Sequence, residues 1–258
     1  MGRQVDRCIT PAGRKRTRRI PVLQERLSRQ VGRAICDYKL IEDGDRVLVA
    51  LSGGKDSLVL LKILQWRRTF VPIRYDLVPV YVDLGDGALS VDELRRRVDA
   101  EGLELVVKKH DLFRGRRREE VSCFWCAWNR RKVLFQTARE LGCRKVALGH
   151  HKDDIVETVL MNLLFEGEIS AMTPRREMFK GRLVIIRPLA YAEERLIERF
   201  AGMSGLAVPG VPCPNGKVSQ RAFAKRIIHE AGRVAPGAKT NIFRSLTRIK
   251  KEYLLAAV

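Results

Sequence analysis

Across 258 residues the chain carries 50 lysines and arginines against 30 acidic residues, a formal charge of +20, and 45% of it is apolar. That length suits one large domain or two small ones, and no run reaches the ~18 uninterrupted apolar residues of a membrane-spanning helix. The basic N-terminus leads into no signal-type apolar core, so a cytoplasmic protein without a membrane partner is expected. A balance this basic points to a polyanion such as nucleic acid, because phosphate contacts release counterions; a merely soluble basic surface is the plainer alternative.

In chain order, residues 1–19 are basic with little apolar pattern and read as a loose arm. Residues 22–41 place apolar side chains at helical spacing. A strand at 46–51 (RVLVAL) then precedes a helix at 57–66, and a strand at 75–83 (YDLVPVYVD) precedes a helix at 90–101. Further strands at 103–108, 144–149 and 183–187 precede helices at 124–141, 154–165 and 193–202. Residues 205–217 (GLAVPGVPCPNGK) form a Pro/Gly-rich break, and helices at 219–231 and 241–246 follow. Strands this apolar are buried on both faces, as in a parallel sheet covered by helices. The alternation predicts an open, doubly wound α/β sheet. The expected organisation is an arm over 1–20, a main domain over 21–204, and a cysteine-bearing loop with a basic helical extension over 205–258.

The junction Ser52-Gly53-Gly54-Lys55-Asp56-Ser57 closes an apolar strand and opens a helix. In an open α/β sheet, ligands bind beyond the carboxyl ends of the strands. Consecutive N–H groups and a helix N-terminus favour anionic oxygen there, glycines let the backbone approach, and Lys55 adds a point charge. Asp56 does not itself welcome phosphate and reads as a Mg2+ ligand or a helix cap. The pattern is neither the Walker A loop nor the dinucleotide G-x-G-x-x-G. Two glycines alone favour a turn with glycine for geometry; the full hexapeptide between strand and helix argues against that.

The six cysteines are Cys8, Cys36, Cys123, Cys126, Cys143 and Cys213. In a chain without secretion features they argue against a disulfide scaffold. Cys123 and Cys126 form a C-x-x-C at a helix start, which lowers thiol pKa; alone the pair is compatible with redox, zinc or chance. Cys213 lies in the Pro/Gly-rich break. Three thiolates without an obvious fourth suit an iron–sulfur cluster with one open iron, while His110, His150, His151 and His229 stay open as a fourth ligand. Cys36 and Cys143 read as core, and Cys8 has no reading. The strand ending at Gly149 runs into His150-His151-Lys152-Asp153-Asp154. Asp153 at a helix start reads as a cap, whereas a His–Asp cluster at a strand end serves metal binding or proton transfer. Arg130, Arg131 and Lys132 follow Cys126 by about a turn; a solvated helix face is the plain alternative.

The hexapeptide resembles the signature of the PP-loop ATP pyrophosphatases. These enzymes cleave ATP between its α and β phosphates, attach AMP to a carbonyl or carboxyl oxygen, and displace it with a nucleophile. RVLVALSGGKDS, CFWC, LGHHKDD, IRPL (residues 186–189) and the late Cys213 occur in the order of the TtcA/TtuA tRNA-thiolating family. The stretch from Leu23 to Ser57 looks like its 2-thiocytidine branch, and the likeness covers roughly residues 22 to 220.

The resemblance implies the adenine nucleotide alpha hydrolase-like fold with a small helical C-terminal extension. It implies ATP held by Ala50, Ser52, Gly53, Gly54, Lys55, Asp56, Ser57, Asp83, Gly149 and His150. A polar strand end is the plain reading of Asp83. It also implies a [4Fe–4S] cluster on Cys123, Cys126 and Cys213, with Asp154 and Arg130 catalytic and Mg2+ on Asp56 and Asp154. The implied partners are tRNA, sulfide or a sulfur-carrier donor, and a second copy in a homodimer. Two departures bear on the substrate. The late site reads Cys213-Pro-Asn-Gly216 where the 2-thiocytidine branch usually has a second C-x-x-C, and PGAKTNIFRSL (residues 236–246) leans towards the 2-thiouridine side. Cytidine is favoured and uridine stays open.

Arg95-Arg96-Arg97, Arg114, Arg116-Arg117-Arg118 and Arg175-Arg176 are candidates for the tRNA backbone. Phe124, Trp125 and Trp128 either stack on an unstacked target base or pack the helix. A lysidine-synthetase-type ligase, a persulfide sulfurtransferase without a cluster, and a non-enzymatic tRNA-binding iron–sulfur protein are the alternatives. The intact loop and the acids of LGHHKDD argue against the last.

Overall fold

The computed structural model describes residues 22–85, 90–113, 120–206 and 220–253. The N-terminal arm with Cys8, the arginines at 114 and 116–118, and Cys213 with most of its Pro/Gly-rich break lie outside the described residues. The described chain divides into two compact units. The first runs to His151 and resumes at Pro174; the second joins Lys152–Thr173 to the C-terminal helices.

The first unit is built on six strands: β1 (Asp45–Leu51), β2 (Tyr75–Asp83), β3 (Val106–Lys109), β4 (Lys145–Ala147), β5 (Arg175–Met178) and β6 (Leu183–Ile186). They lie in the order β3-β2-β1-β4-β6-β5. All pairs are parallel except β5 with β6. The apolar runs are buried on both faces, and the period of two decides which side chain goes where. Val47, Val49 and Leu51 of β1 enter one core; Leu48 and Ala50 enter the other. On β6, Val184 and Ile186 join the first core, Leu183 and Ile185 the second. Helices α1 (Val22–Tyr38), α2 (Lys55–Arg67), α3 (Val91–Asp99) and α6 (Glu194–Met203) close the first core with Leu27, Leu61, Leu94 and Phe200. Helix α4 (Cys123–Glu140) closes the second with Leu134 and Ala138.

The second unit consists of α5 (Lys152–Met161), a π-helical turn at Asn162–Glu166, α7 (Gln220–Val234) and α8 (Ala238–Ser245). Both later helices pack on α5. The segment 152–173, grouped by the sequence with the sheet domain, therefore clusters with the C-terminal helices.

Further expectations change. Cys36 is exposed, because α1 turns Leu27, Val31, Ala34 and Ile35 inward and leaves position 36 on the opposite side. β5 was not expected at all: its four residues, RREM, carry no apolar alternation, and it forms by pairing with β6 at the sheet edge. Cys143 is buried in the second core, where desolvation pushes its thiol pKa up. No helix among the described residues is long and apolar enough to cross a membrane.

Candidate active site

The chain leaves β1 for β2 and β3 on one side, then returns to place β4 on the other. The strand order therefore reverses between β1 and β4, and the crevice beyond their carboxyl ends is where such a sheet takes a ligand. Residues 52–54 occupy that position, between β1 and α2.

Gly53 sits at φ +79, a left-handed conformation that glycine adopts without penalty. Gly54 is the extended N-cap of α2 and brings no side-chain cap. A helix opened this way offers first-turn N–H groups to an anion. The two serines brace the loop. The Ser57 hydroxyl is buried, donates to the Gly54 carbonyl at 2.9 Å and accepts from the Ser52 amide at 3.2 Å. Ser52 Oγ accepts from the Gly54 amide at 3.3 Å. Ser57 thus holds the loop's shape from within, and exposed Ser52 and Gly54 form its outer edge.

Gly149, two residues beyond β4, touches this loop directly. A Cβ there would lie 3.0 Å from the Ser57 nitrogen and 3.1 Å from the Asp56 carbonyl carbon. Only a residue without a side chain lets the end of β4 press against the first turn of α2. His150 beside it is half-buried and His151 is buried. At the end of β2, Asp83 Oδ1 accepts from the Gly85 amide at 3.0 Å, turning the chain beside the site.

Lys55 was expected to add its charge to the phosphate site. Its ammonium lies 3.6 Å from Asp56, 3.7 Å from Glu194 and 3.6 Å from Glu198, the last two on α6. Nothing local in the sequence indicated the two on α6, which lie about 140 residues away.

Helix α4 is capped by Ser122, whose hydroxyl accepts from the Trp125 amide at 3.2 Å. Cys123 and Cys126 occupy its first turn at i, i+3. Cys126 is half-buried against the second core, and Arg130, one turn on, is half-buried with its Nε out of solvent. Arg131 and Lys132 are exposed, the solvated face that was the plain reading for them.

Within the second unit, α5 begins with Asp153 and Asp154. Lys239 of α8 pairs with Asp153, and Arg221 of α7 reaches Asp154 at 3.2 Å and Glu157 at 3.6 Å. Buried Lys152 donates to Thr240 at 2.9 Å. Arg221 and Lys239 were missed in the sequence, where they are two among 50 basic residues.

A PP-loop domain model matches residues 23–208, most of the chain. The chain belongs to the PP-loop family. Its curated relatives include the tRNA-cytidine(32) 2-sulfurtransferase of Geobacter sulfurreducens, 41% identical over 90% of this chain and 92% of its own. The protein of the same name from Syntrophotalea carbinolica is 38% identical over 92% and 96%. Among solved structures, the U34-tRNA thiolase NcsA from Methanococcus maripaludis with its [4Fe-4S] cluster superposes with a TM-score of 0.71. It covers 92% of this chain at 24% identity, a likeness of fold. The match includes residues 52–57 and Gly149, which lies against them.

Proposed function

We propose that the protein is an ATP-dependent tRNA 2-sulfurtransferase that adenylates the 2-oxygen of a tRNA pyrimidine, cytidine in the first place, and exchanges it for sulfur. The observation that carries this reading is an intact PP-loop at the sheet's switch point in a chain 41% identical, nearly end to end, to a tRNA-cytidine(32) 2-sulfurtransferase.

In the first step the 2-oxygen attacks the α-phosphate of ATP, and the α–β phosphoanhydride bond breaks. The loop N–H groups and the N-terminus of α2 take up the charge of the departing pyrophosphate. A urea-like carbonyl oxygen is a very poor leaving group; as an adenylate it leaves with AMP when sulfur attacks C2. Asp83, Gly149 and His150 line the nucleotide side in this proposal. Asp56 would hold Mg2+, Asp154 would hold Mg2+ or move the proton on the base, and half-buried Arg130 would steady developing negative charge.

The residue chemistry supports a [4Fe–4S] cluster: two cysteines stand at i and i+3 in the first turn of a helix capped by Ser122, and a helix start favours thiolate. Cys123, Cys126 and Cys213 would hold it, leaving one iron open to supply the sulfur brought as sulfide or by a carrier. The uridine reading and a homodimer, both carried by the resemblance, belong to the same proposal. The setting we propose is the cytoplasm.

The test is nucleoside mass spectrometry of unmodified tRNA incubated anaerobically with ATP, Mg2+, sulfide and the iron-reconstituted protein. Oxygen-to-sulfur exchange on cytidine is expected. Asp56→Ala abolishes AMP formation, while Cys213→Ala keeps ATP binding and loses thiolation. AMP formation without a thionucleoside would move the reading to another PP-loop acceptor, and undiminished thiolation by Cys213→Ala would remove the cluster.

A further inference from the structure

The N-terminal half of α4 has a packed side and a wet side. On the packed side lie Cys126, Arg130 and Asn129, whose amide donates to the Trp125 carbonyl at 2.9 Å. On the wet side Trp125 and Trp128 are 44% and 45% exposed, and Phe124 is 76% exposed. Trp125 and Trp128 pack along the helix and still leave nearly half of their surface in water. The two indoles stack on each other, centroids 5.5 Å apart and planes 14° apart. The Lys132 ammonium stands 5.5 Å from the Trp128 ring centre, and Arg131 is exposed beside it. Trp125, Trp128 and Lys132 recur at i, i+3 and i+7, one continuous stripe.

The direction of this stripe matters. Trp128 is two residues from both Cys126 and Arg130, just over half a turn of a helix with about 3.6 residues per turn. The aromatic stripe therefore faces away from the groups assigned to the chemistry. A base stacked there is not the base being modified.

Aromatic rings left in water and interleaved with cations are a stacking platform for nucleobases, since every base has a π-face and its phosphates want the cations. A second copy of the chain is a poor occupant, because like faces would bring Arg131 and Lys132 of both copies together on a molecule already at +20. We propose that this face of α4 docks an unpaired tRNA base outside the reaction centre. The base stacks on the Trp125–Trp128 pair, with Lys132 and Arg131 on adjoining phosphates. This rests on the tRNA reading given above and adds a second point of attachment to it.

The experiment compares the full-length protein with Trp125→Ala/Trp128→Ala and Trp125→Phe/Trp128→Phe, using unmodified tRNA and a blunt RNA duplex as probes. Filter binding over a salt series gives affinity and salt slope, and sedimentation gives the oligomeric state. The alanine pair is expected to weaken tRNA binding by about tenfold to a hundredfold. The salt slope and duplex binding stay as they were, because the lost contact is uncharged and needs an unpaired base. The phenylalanine pair, which keeps a stacking surface, stays close to wild type. Wild-type tRNA affinity in the alanine pair overturns the inference, as does equal weakening by both pairs. Loss of a dimer in the alanine pair would hand the face to a second copy instead. If the wild type binds tRNA and makes no thionucleoside, the functional reading fails and the docking face stands; if it binds no tRNA, both fail.

Discussion

Lys55 stands between strand and helix as the sequence places it, and it also meets carboxylates that the sequence did not indicate. Its position in the loop was legible, and its charge was expected on the phosphate. In the structure three carboxylates surround its ammonium, two of them from α6. An ammonium so placed ties the first turn of α2 to α6. The pair is partly exposed, and such ion pairs contribute at most about 1 kcal/mol. Pairs this weak give way readily to phosphate, so Lys55→Met is expected to raise the KM for ATP by about tenfold, against complete loss of AMP formation in Asp56→Ala. A KM within about threefold of wild type in steady-state AMP release would mean that the ammonium stays with α6. The same limit applied to Arg221 and Lys239. The sequence contained them, and only tertiary pairing with α5 singled them out. Gly53 and Ser57 were easier, because their roles are local to six consecutive residues.

Strands β1, β2 and β6 were legible because each is a run of apolar residues bounded by turn signals, and such runs have few other places to go. β3 begins three residues later than expected, and β5 was invisible: short strands are made by their neighbours more than by their own residues. The predicted helix over 154–165 became α5 followed by a π-helical turn, a change of hydrogen-bond register that apolar spacing does not encode. The contact between β4 and α2 was equally hidden, although Gly149 was marked by resemblance. Its hypothetical Cβ meets backbone atoms at 3.0 to 3.1 Å, and backbone cannot swing aside as a side-chain tip can. Gly149→Ala is expected to displace the loop by a few tenths of an ångström and to cost about 1–3 kcal/mol of stability. Because misplacement of reacting groups is steeply penalised, AMP formation should fall by about tenfold or more. Thermal melts and AMP release on the same preparation check this; unchanged kcat with unchanged Tm would show that β4 and α2 part freely.

For the molecule as a whole, the charge of +20 was the most informative single quantity in the composition. Arg96 and Arg97 are engaged by Glu93, and Arg175 by Glu177. Such surface pairs are weak and exchange readily for phosphate. Binding through many exchangeable cations makes affinity a steep function of salt. Raising monovalent salt from about 50 to about 200 mM is expected to lower tRNA affinity by about tenfold or more. A flat dependence in filter binding would mean that the excess charge does not meet the RNA. The grouping of 152–173 with the C-terminal helices was beyond reach of a linear reading, since it depends on helices some seventy residues downstream closing back on α5. The two ends of the sheet have a further consequence. Its outermost strands, β3 and β5, are four residues each, and carry VVKK and RREM. Short, charged borders discourage another chain from adding a strand. The sheet thus offers another chain little to extend at either end, which lowers the tendency of a concentrated solution to fibrous association.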